Sequence, residues 1–428
     1  MSSHSGNGIF ERVRSRAALD LAKVLAPDRL LAPGADDEAQ AWAVISARID
    51  EARREEVNGG GDELDPASTH ELAQAVYDDL LQLGPLQRHL ADPDVEEVMV
   101  NGHAGAFAIR AGGRKEEIAS GFSSEAELFA FVAKTVVATG RRLDQSSPAV
   151  DARLPDGSRL HIIAPPLAPF TCVTIRRHRL LARSLDLDDL EELGTVTPPL
   201  HSFLYAAVRA GLNILISGGT GSGKTTTLNA LGSAIPAAER VVTIEETAEL
   251  ALARHLPDCI ALESRFANVE GVGEVSIRAL LRHALRMRPH RIVVGEVRGP
   301  EALDMLAAMN SGHPGSMGTI HADGPRQALS KLRTYAMAAE ERLSAEVLTE
   351  MIGETIGLVL QLRCEPDGRR SVCALSEVAG VDGGRVLTNN LFASEAPGVP
   401  ATWTGLAPAC MPLLEASGFA RGDLEVGA

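Results

Sequence analysis

The run Gly218-Gly219-Thr220-Gly221-Ser222-Gly223-Lys224-Thr225-Thr226 brings together residue types suited to holding a triphosphate. Backbone N–H groups converge on phosphate oxygens only where no Cβ obstructs them, which accounts for Gly218, Gly221 and Gly223. Lys224 supplies a point charge toward the β- and γ-phosphates of a nucleotide such as ATP, and the Thr225 hydroxyl can ligate Mg2+. The spacing from Gly218 to Thr225 fits G-x-x-x-x-G-K-[ST]. A flexible glycine linker is the competing reading. Only five of the 41 Lys and Arg residues are Lys, and one of them stands here, which weighs against it. The apolar run Asn213–Ser217 precedes the loop and a helical pattern follows, giving the strand, loop and helix that a phosphate cradle needs.

Hydrolysis of a phosphoanhydride further requires a metal on the β/γ oxygens, a carboxylate to orient water, and cations where charge develops. Arg291–Arg298, RIVVGEVR, reads as a buried strand closing on Glu296, placed beside the phosphate loop to face the Mg2+ shell. Glu245, Glu246 and Glu249 cluster after the strand Val241–Ile244, although a surface loop could hold three acids equally well. Arg286 and Arg288 in LRMRP sit at a helix end, where they could reach a phosphate or merely cap helix carbonyls. His313 and His321 bracket GHPGSMGTIH. Their separation across a Pro-Gly turn does not suit zinc ligation, whereas a histidine at the carboxyl end of a strand can sense the γ-phosphate.

Around these residues the pattern is α/β. A chain of 428 residues exceeds one core, so two or more domains are expected. Residues 1–63 read as a helical appendage ending in a glycine linker, 64–183 as a smaller α+β domain, 184–390 as a P-loop domain of alternating strands and helices, and 391–428 as a loosely packed tail. That alternation predicts a parallel sheet covered on both faces. The acidic run 186–192 reads as a solvated helix. No apolar window approaches ~18 residues, so a transmembrane segment is not expected and the protein should be cytoplasmic. A net charge of −16 argues against direct nucleic-acid binding. Five scattered cysteines suggest neither a zinc ribbon nor a disulfide framework.

Taken in order, LGPLQRHLADPDVEEVMVNG (83–102), GRRLDQSSPAVDARLPDGSRL (140–160), VTIRRH (173–178), the phosphate loop, VVTIEETAEL (241–250) and ALRMRPHRIVVGEVRG with GHPGSMGTIHA (284–322) resemble the type II/IV secretion ATPase superfamily, most closely its tight-adherence (Flp) pilus assembly branch. The resemblance implies a RecA-like ATPase domain using ATP and Mg2+, with Lys224 on phosphates and Thr225 and Glu296 at the metal. It implies that Glu249 positions the attacking water and that His313 and His321 sense the γ-phosphate. Arg176, Arg177, Arg286 and Arg288 would complete the nucleotide site, some across a domain or subunit interface. It also implies a hexameric ring at the inner face of the plasma membrane, bound to platform proteins of a pilus or secretion system. A conjugation-type secretion ATPase and a nucleotide-gated scaffold with little turnover are the alternatives. Two positions depart from the family pattern: Glu246, where Asp is usual, and His290, where RPDR is usual.

Overall fold

The computed structural model describes residues 3–25, 33–58, 66–110, 113–177, 185–267, 270–365 and 367–424. They form two compact units, Met1–His178 and Arg179–Ala428. The expected linker at 59–62 and the domain boundary near residue 183 lie outside the described residues.

In the first unit, helices Ser3–Val24, Ala35–Asn58 and Pro66–Leu81 share one core. Val13, Ala17 and Leu21 recur every fourth residue, as do Ala41, Ile45 and Ile49, so each helix buries a single stripe. Trp42 stacks on Tyr77 with ring centroids 4.8 Å apart. The helix Pro66–Leu81, which the sequence pattern attaches to the α+β region, therefore packs with the N-terminal helices. A six-stranded antiparallel sheet follows: β1 (Val95–Asn101), β2 (Gly105–Arg110), β3 (Arg114–Ile118), β4 (Ala149–Arg153), β5 (Arg159–Ile163) and β6 (Cys172–Arg176), ordered β3-β2-β1-β6-β5-β4. Helix Glu125–Ala138 joins its core through Leu128, Val132 and Val136. The Ser124 hydroxyl caps that helix by accepting the Glu127 N–H.

The second unit is built on nine strands: β7 (Ile214–Gly218), β8 (Val241–Glu245), β9 (Cys259–Glu263), β10 (Arg291–Val297), β11 (Met317–Ile320), β12 (Leu358–Cys364), β13 (Arg370–Asp382), β14 (Arg385–Ala393) and β15 (Thr402–Trp403). Their order is β15-β14-β13-β12-β7-β11-β10-β8-β9, parallel from β12 to β9 and antiparallel beyond β12. Neighbouring residues of one strand enter opposite cores. Ile214 and Ile216 pack with helices Pro198–Arg209 and Lys224–Ser233, while Leu215 packs with Ile277–Ala284, Glu301–Asn310, Pro325–Met337 and Ala345–Thr355. Both faces are thus covered, which is why these strands read as continuous apolar runs. The acidic run does form a helix, Leu187–Glu192, with a capping box between Asp186 and Asp189. Its Leu187 and Leu190 are buried, so only one side of it meets water.

Two expectations need correction. Strand β10 is not adjacent to β7, because β11 lies between them. The segment beyond residue 390 is not loosely packed either. Leu391 and Phe392 are fully buried, and helix Met411–Ala416 with Phe419 closes over Phe203, whose ring meets Phe392 at 5.6 Å and Phe419 at 5.8 Å. Single anchors separated by Gly and Pro fill that core, and isolated anchors leave no periodic trace. Phe392→Ala is accordingly expected to destabilise the protein by about 3–5 kcal/mol, read from the denaturant midpoint.

At the start of β10, Arg291 is 2% exposed and forks onto Glu239, with Nη2 3.0 Å from Oε1, while Nη1 donates to the Val208 carbonyl at 2.6 Å. Gly315, at φ +77°, gives it room: a Cβ there would stand 2.5 Å from Nη1.

Candidate active site

The phosphate loop leaves β7 and enters helix Lys224–Ser233, whose N-cap, Gly223, has φ +92°. Gly221 has φ +73°, and a Cβ there would meet nothing within 4 Å. These two glycines are therefore required by backbone conformation more than by space. At Gly218 the reason is space, since a Cβ would stand 3.0 Å from the Leu362 carbonyl. Lys224 Nζ donates to the carbonyls of Gly218 at 3.0 Å and Gly219 at 2.9 Å, and the buried Ser222 hydroxyl donates to Gly219 at 2.9 Å. Thr225 and Thr226 are half-buried in the first helical turn, where free N–H groups and the helix dipole favour an anion.

The carboxylates converge from two adjacent strands, β8 and β10. Of the three acids at the end of β8, Glu245, its last residue, is structural: it is buried, and its Oε1 accepts the N–H groups of Glu249 at 3.0 Å and Leu250 at 3.1 Å. That folds the turn which carries Glu249, itself half-buried. Glu246 is exposed and lies 3.3 Å from Arg298 Nη1, while Arg298 Nη2 donates to Glu296 Oε2 at 2.7 Å. Glu296, with Glu246 and Glu249 behind it, holds the Arg298 guanidinium above its ordinary range. Glu246, longer than the family's Asp, reaches this shared cation. Sequence reasoning missed Arg298, although its place two residues after Glu296 on the same strand exit was the available signal.

Parallel strands have two edges, and these separate the remaining residues. His321 directly follows β11, whose Ile320 pairs with Ser217, so it stands on the edge of the phosphate loop. His313 precedes β11 and its Nδ1 lies 3.0 Å from the Pro289 carbonyl, on the opposite edge. A strand the length of β7 separates the two edges by roughly 13 Å, so His313 does not sense the phosphate bound by its own chain. Arg286 and Arg288 share that far edge. Both are exposed, and Arg286 Nη1 caps the Arg282 carbonyl at 3.0 Å. His290 also lies there, and its Nδ1 accepts the Arg240 N–H at 2.8 Å, the acceptor role a carboxylate could fill. In the first unit, Arg177 Nη1 donates to the Asp92 carbonyl at 2.6 Å, and Arg176 is exposed at the end of β6.

For a metal, the fitting groups are the Thr225 hydroxyl and the carboxylate of Glu296. Among the described residues no cluster of three His, Cys, Asp or Glu is arranged to hold one. A donor set this sparse suits Mg2+, which keeps waters and takes most of its protein-bound ligation from substrate phosphates.

A family model described as Type II/IV secretion system protein matches residues 79–378. The chain belongs to this family of secretion ATPases. A putative conjugal transfer protein of Mycobacterium tuberculosis is 39% identical over 269 residues, 61% of this chain and 75% of its own length. The conjugal transfer protein TrbB of Rhizobium radiobacter is 33% identical over 310 residues, 72% of this chain and 88% of its own. The solved VirB11 ATPase of the Brucella suis type IV secretion system, in complex with sulphate, is 29% identical, covering 68% of this chain and 95% of that one at a TM-score of 0.38. In this secretion ATPase, Arg298 occupies the carboxylates of Glu246 and Glu296, the second of which a divalent ion would need. Arg298→Ala is expected to lower the Mg2+ concentration for half-maximal ATP hydrolysis roughly two- to fivefold, the worth of a half-exposed ion pair, read by magnesium titration of phosphate release.

Proposed function

We propose that the chain hydrolyses ATP with Mg2+ and works as a hexameric ring powering assembly of tight-adherence pili at the inner face of the plasma membrane. The observation that carries the catalytic part is the placing of Lys224, Thr225, Glu249, Glu296 and His321 on one edge of a single sheet. In this reading Glu249 orients water for in-line attack on the γ-phosphate. Lys224 and Thr225 hold the triphosphate and its metal, and Mg2+ supplies charge neutralisation on the β/γ oxygens. His321 reports loss of the γ-phosphate. Arg286 and Arg288, exposed on the far edge, would serve the nucleotide of a neighbouring subunit, and Arg176 and Arg177 are further candidate phosphate ligands. No helix among the described residues is long and apolar enough to cross a membrane, so membrane platform proteins are the proposed partners.

The names of the relatives favour a second reading, a conjugation-type traffic ATPase. Phosphate release by the wild type and not by Lys224→Ala tests the enzyme. Recovery of the membrane partner by crosslinking in cells tests the branch: a pilus platform protein supports the first reading, and a conjugative channel component replaces it with the second.

A further inference from the structure

Arg370 opens β13, on the hairpin whose other strand, β12, runs beside β7. Its Nε donates to the Gly221 carbonyl at 2.9 Å, and its Cδ lies 3.2 Å from where a Cβ on Gly223 would stand. Hairpin and phosphate loop together wall a cavity of about 320 Å3 that includes Thr220, Ser222, Gln361 and Cys373. The neighbouring arginines of the hairpin are paired with acids, Arg369 with Asp367 at 2.6 Å and Arg363 with Glu365 at 3.8 Å. Arg370 has no carboxylate partner among the described residues. In a chain of net charge −16, a cation left without an acid and turned onto a phosphate loop calls for a different partner.

The contact has a directional consequence. Across a trans peptide the carbonyl and the following N–H point to opposite sides. Pinning the Gly221 oxygen on the guanidinium therefore turns the Ser222 N–H away from Arg370. That N–H donates to the Gly219 carbonyl at 3.4 Å, closing a turn on the same oxygen that Lys224 Nζ reaches at 2.9 Å. The amide thus faces the side where the lysine charge sits.

We propose that Arg370 is a positioning residue of the nucleotide site, holding the Gly221–Ser222 peptide and with it the turn that Ser222 closes on Gly219, so that the loop keeps the shape of a phosphate cradle. This rests on the reading of the loop as an ATP site. The residue is exposed, so Arg370→Ala should keep the wild-type thermal midpoint without nucleotide to within about 2 °C. The test is titration of the full chain with fluorescent ADP and ATP, using Arg370→Ala, Arg370→Gln, Arg370→Lys and Lys224→Ala. Arg370→Ala is expected to weaken Kd about tenfold and to raise KM with kcat within about twofold of wild type. Arg370→Gln, which keeps an N–H donor without the charge, should recover part of the loss. Wild-type affinity in Arg370→Ala would overturn the proposal. Recovery by Lys with none by Gln would also overturn it, because charge alone would then be responsible. If the wild type binds no nucleotide, the ATP reading itself falls and this inference with it; binding by the wild type and not by Lys224→Ala separates the two cases.

Discussion

Lys224→Ala is expected to weaken ATP and ADP binding by about 10²-fold or more, because an ammonium supplies charge-assisted hydrogen bonds to phosphate oxygens that no neighbour can replace. The structure narrows the alternatives. Lys224 Nζ reaches the carbonyls of Gly218 and Gly219, both within its own loop, and the only other lysine of the second unit, Lys331, is held elsewhere, its Nζ donating to the His321 carbonyl at 2.7 Å. The substitution also removes two hydrogen bonds that close the loop, so part of the loss reflects a less ordered cradle. Arginine at this position would keep the charge but widen it into a planar fork, and Lys224→Arg is expected to bind nearly as poorly as Lys224→Ala. Equilibrium titration of both variants with a fluorescent ADP analogue checks this, and affinity within threefold of wild type in Lys224→Ala would remove the phosphate role of the loop.

Glu296→Gln is expected to bind ATP with near-wild-type affinity and to hydrolyse it roughly 10²- to 10³-fold more slowly, a loss typical of a group acting mainly in the transition state. The amide keeps an oxygen to accept from Arg298, so the end of β10 should hold its shape while the negative charge is lost. Single-turnover phosphate release alongside nucleotide titration separates binding from chemistry. Glu249→Gln should resemble it, whereas Glu245→Gln should act through folding of the turn at 246–250, lowering the thermal midpoint together with the rate.

How much of this could be read from the chain alone depends on the range of the interactions involved. The cradle is local: nine consecutive residues, a strand before and a helix after, all fixed by spacing. The order β7, β8, β10, β11 followed from apolar runs between helical patterns, because strands buried on both faces have no polar alternation to obscure them. The far edge was misjudged at His313 for want of a step that the sequence permitted. A residue just before a parallel strand and one just after it must lie on opposite edges, so two histidines bracketing one strand cannot both meet one phosphate. Arg298, two residues from Glu296, was within reach of the sequence, but Arg370 belongs to a different class. The partner of Arg370 is Gly221, 149 residues away, and no periodicity announces a contact of that range. The segment after residue 390 was obscured for a third reason, since its anchors Phe392, Leu414 and Phe419 enter the core one at a time between glycines and prolines.

The buried fork of Arg291 carries a mechanical corollary. It fastens the end of helix Pro198–Arg209, through the Val208 carbonyl, and the stretch before β8, through Glu239, to the first residue of β10. Removing Glu239 would strand the buried Arg291 charge away from water, at a penalty of about 3–5 kcal/mol. The amino-terminal rim of the sheet therefore behaves as a stiff chassis, and whatever strain a turnover cycle produces must be released at the opposite rim, where exposed turns and half-buried side chains can yield.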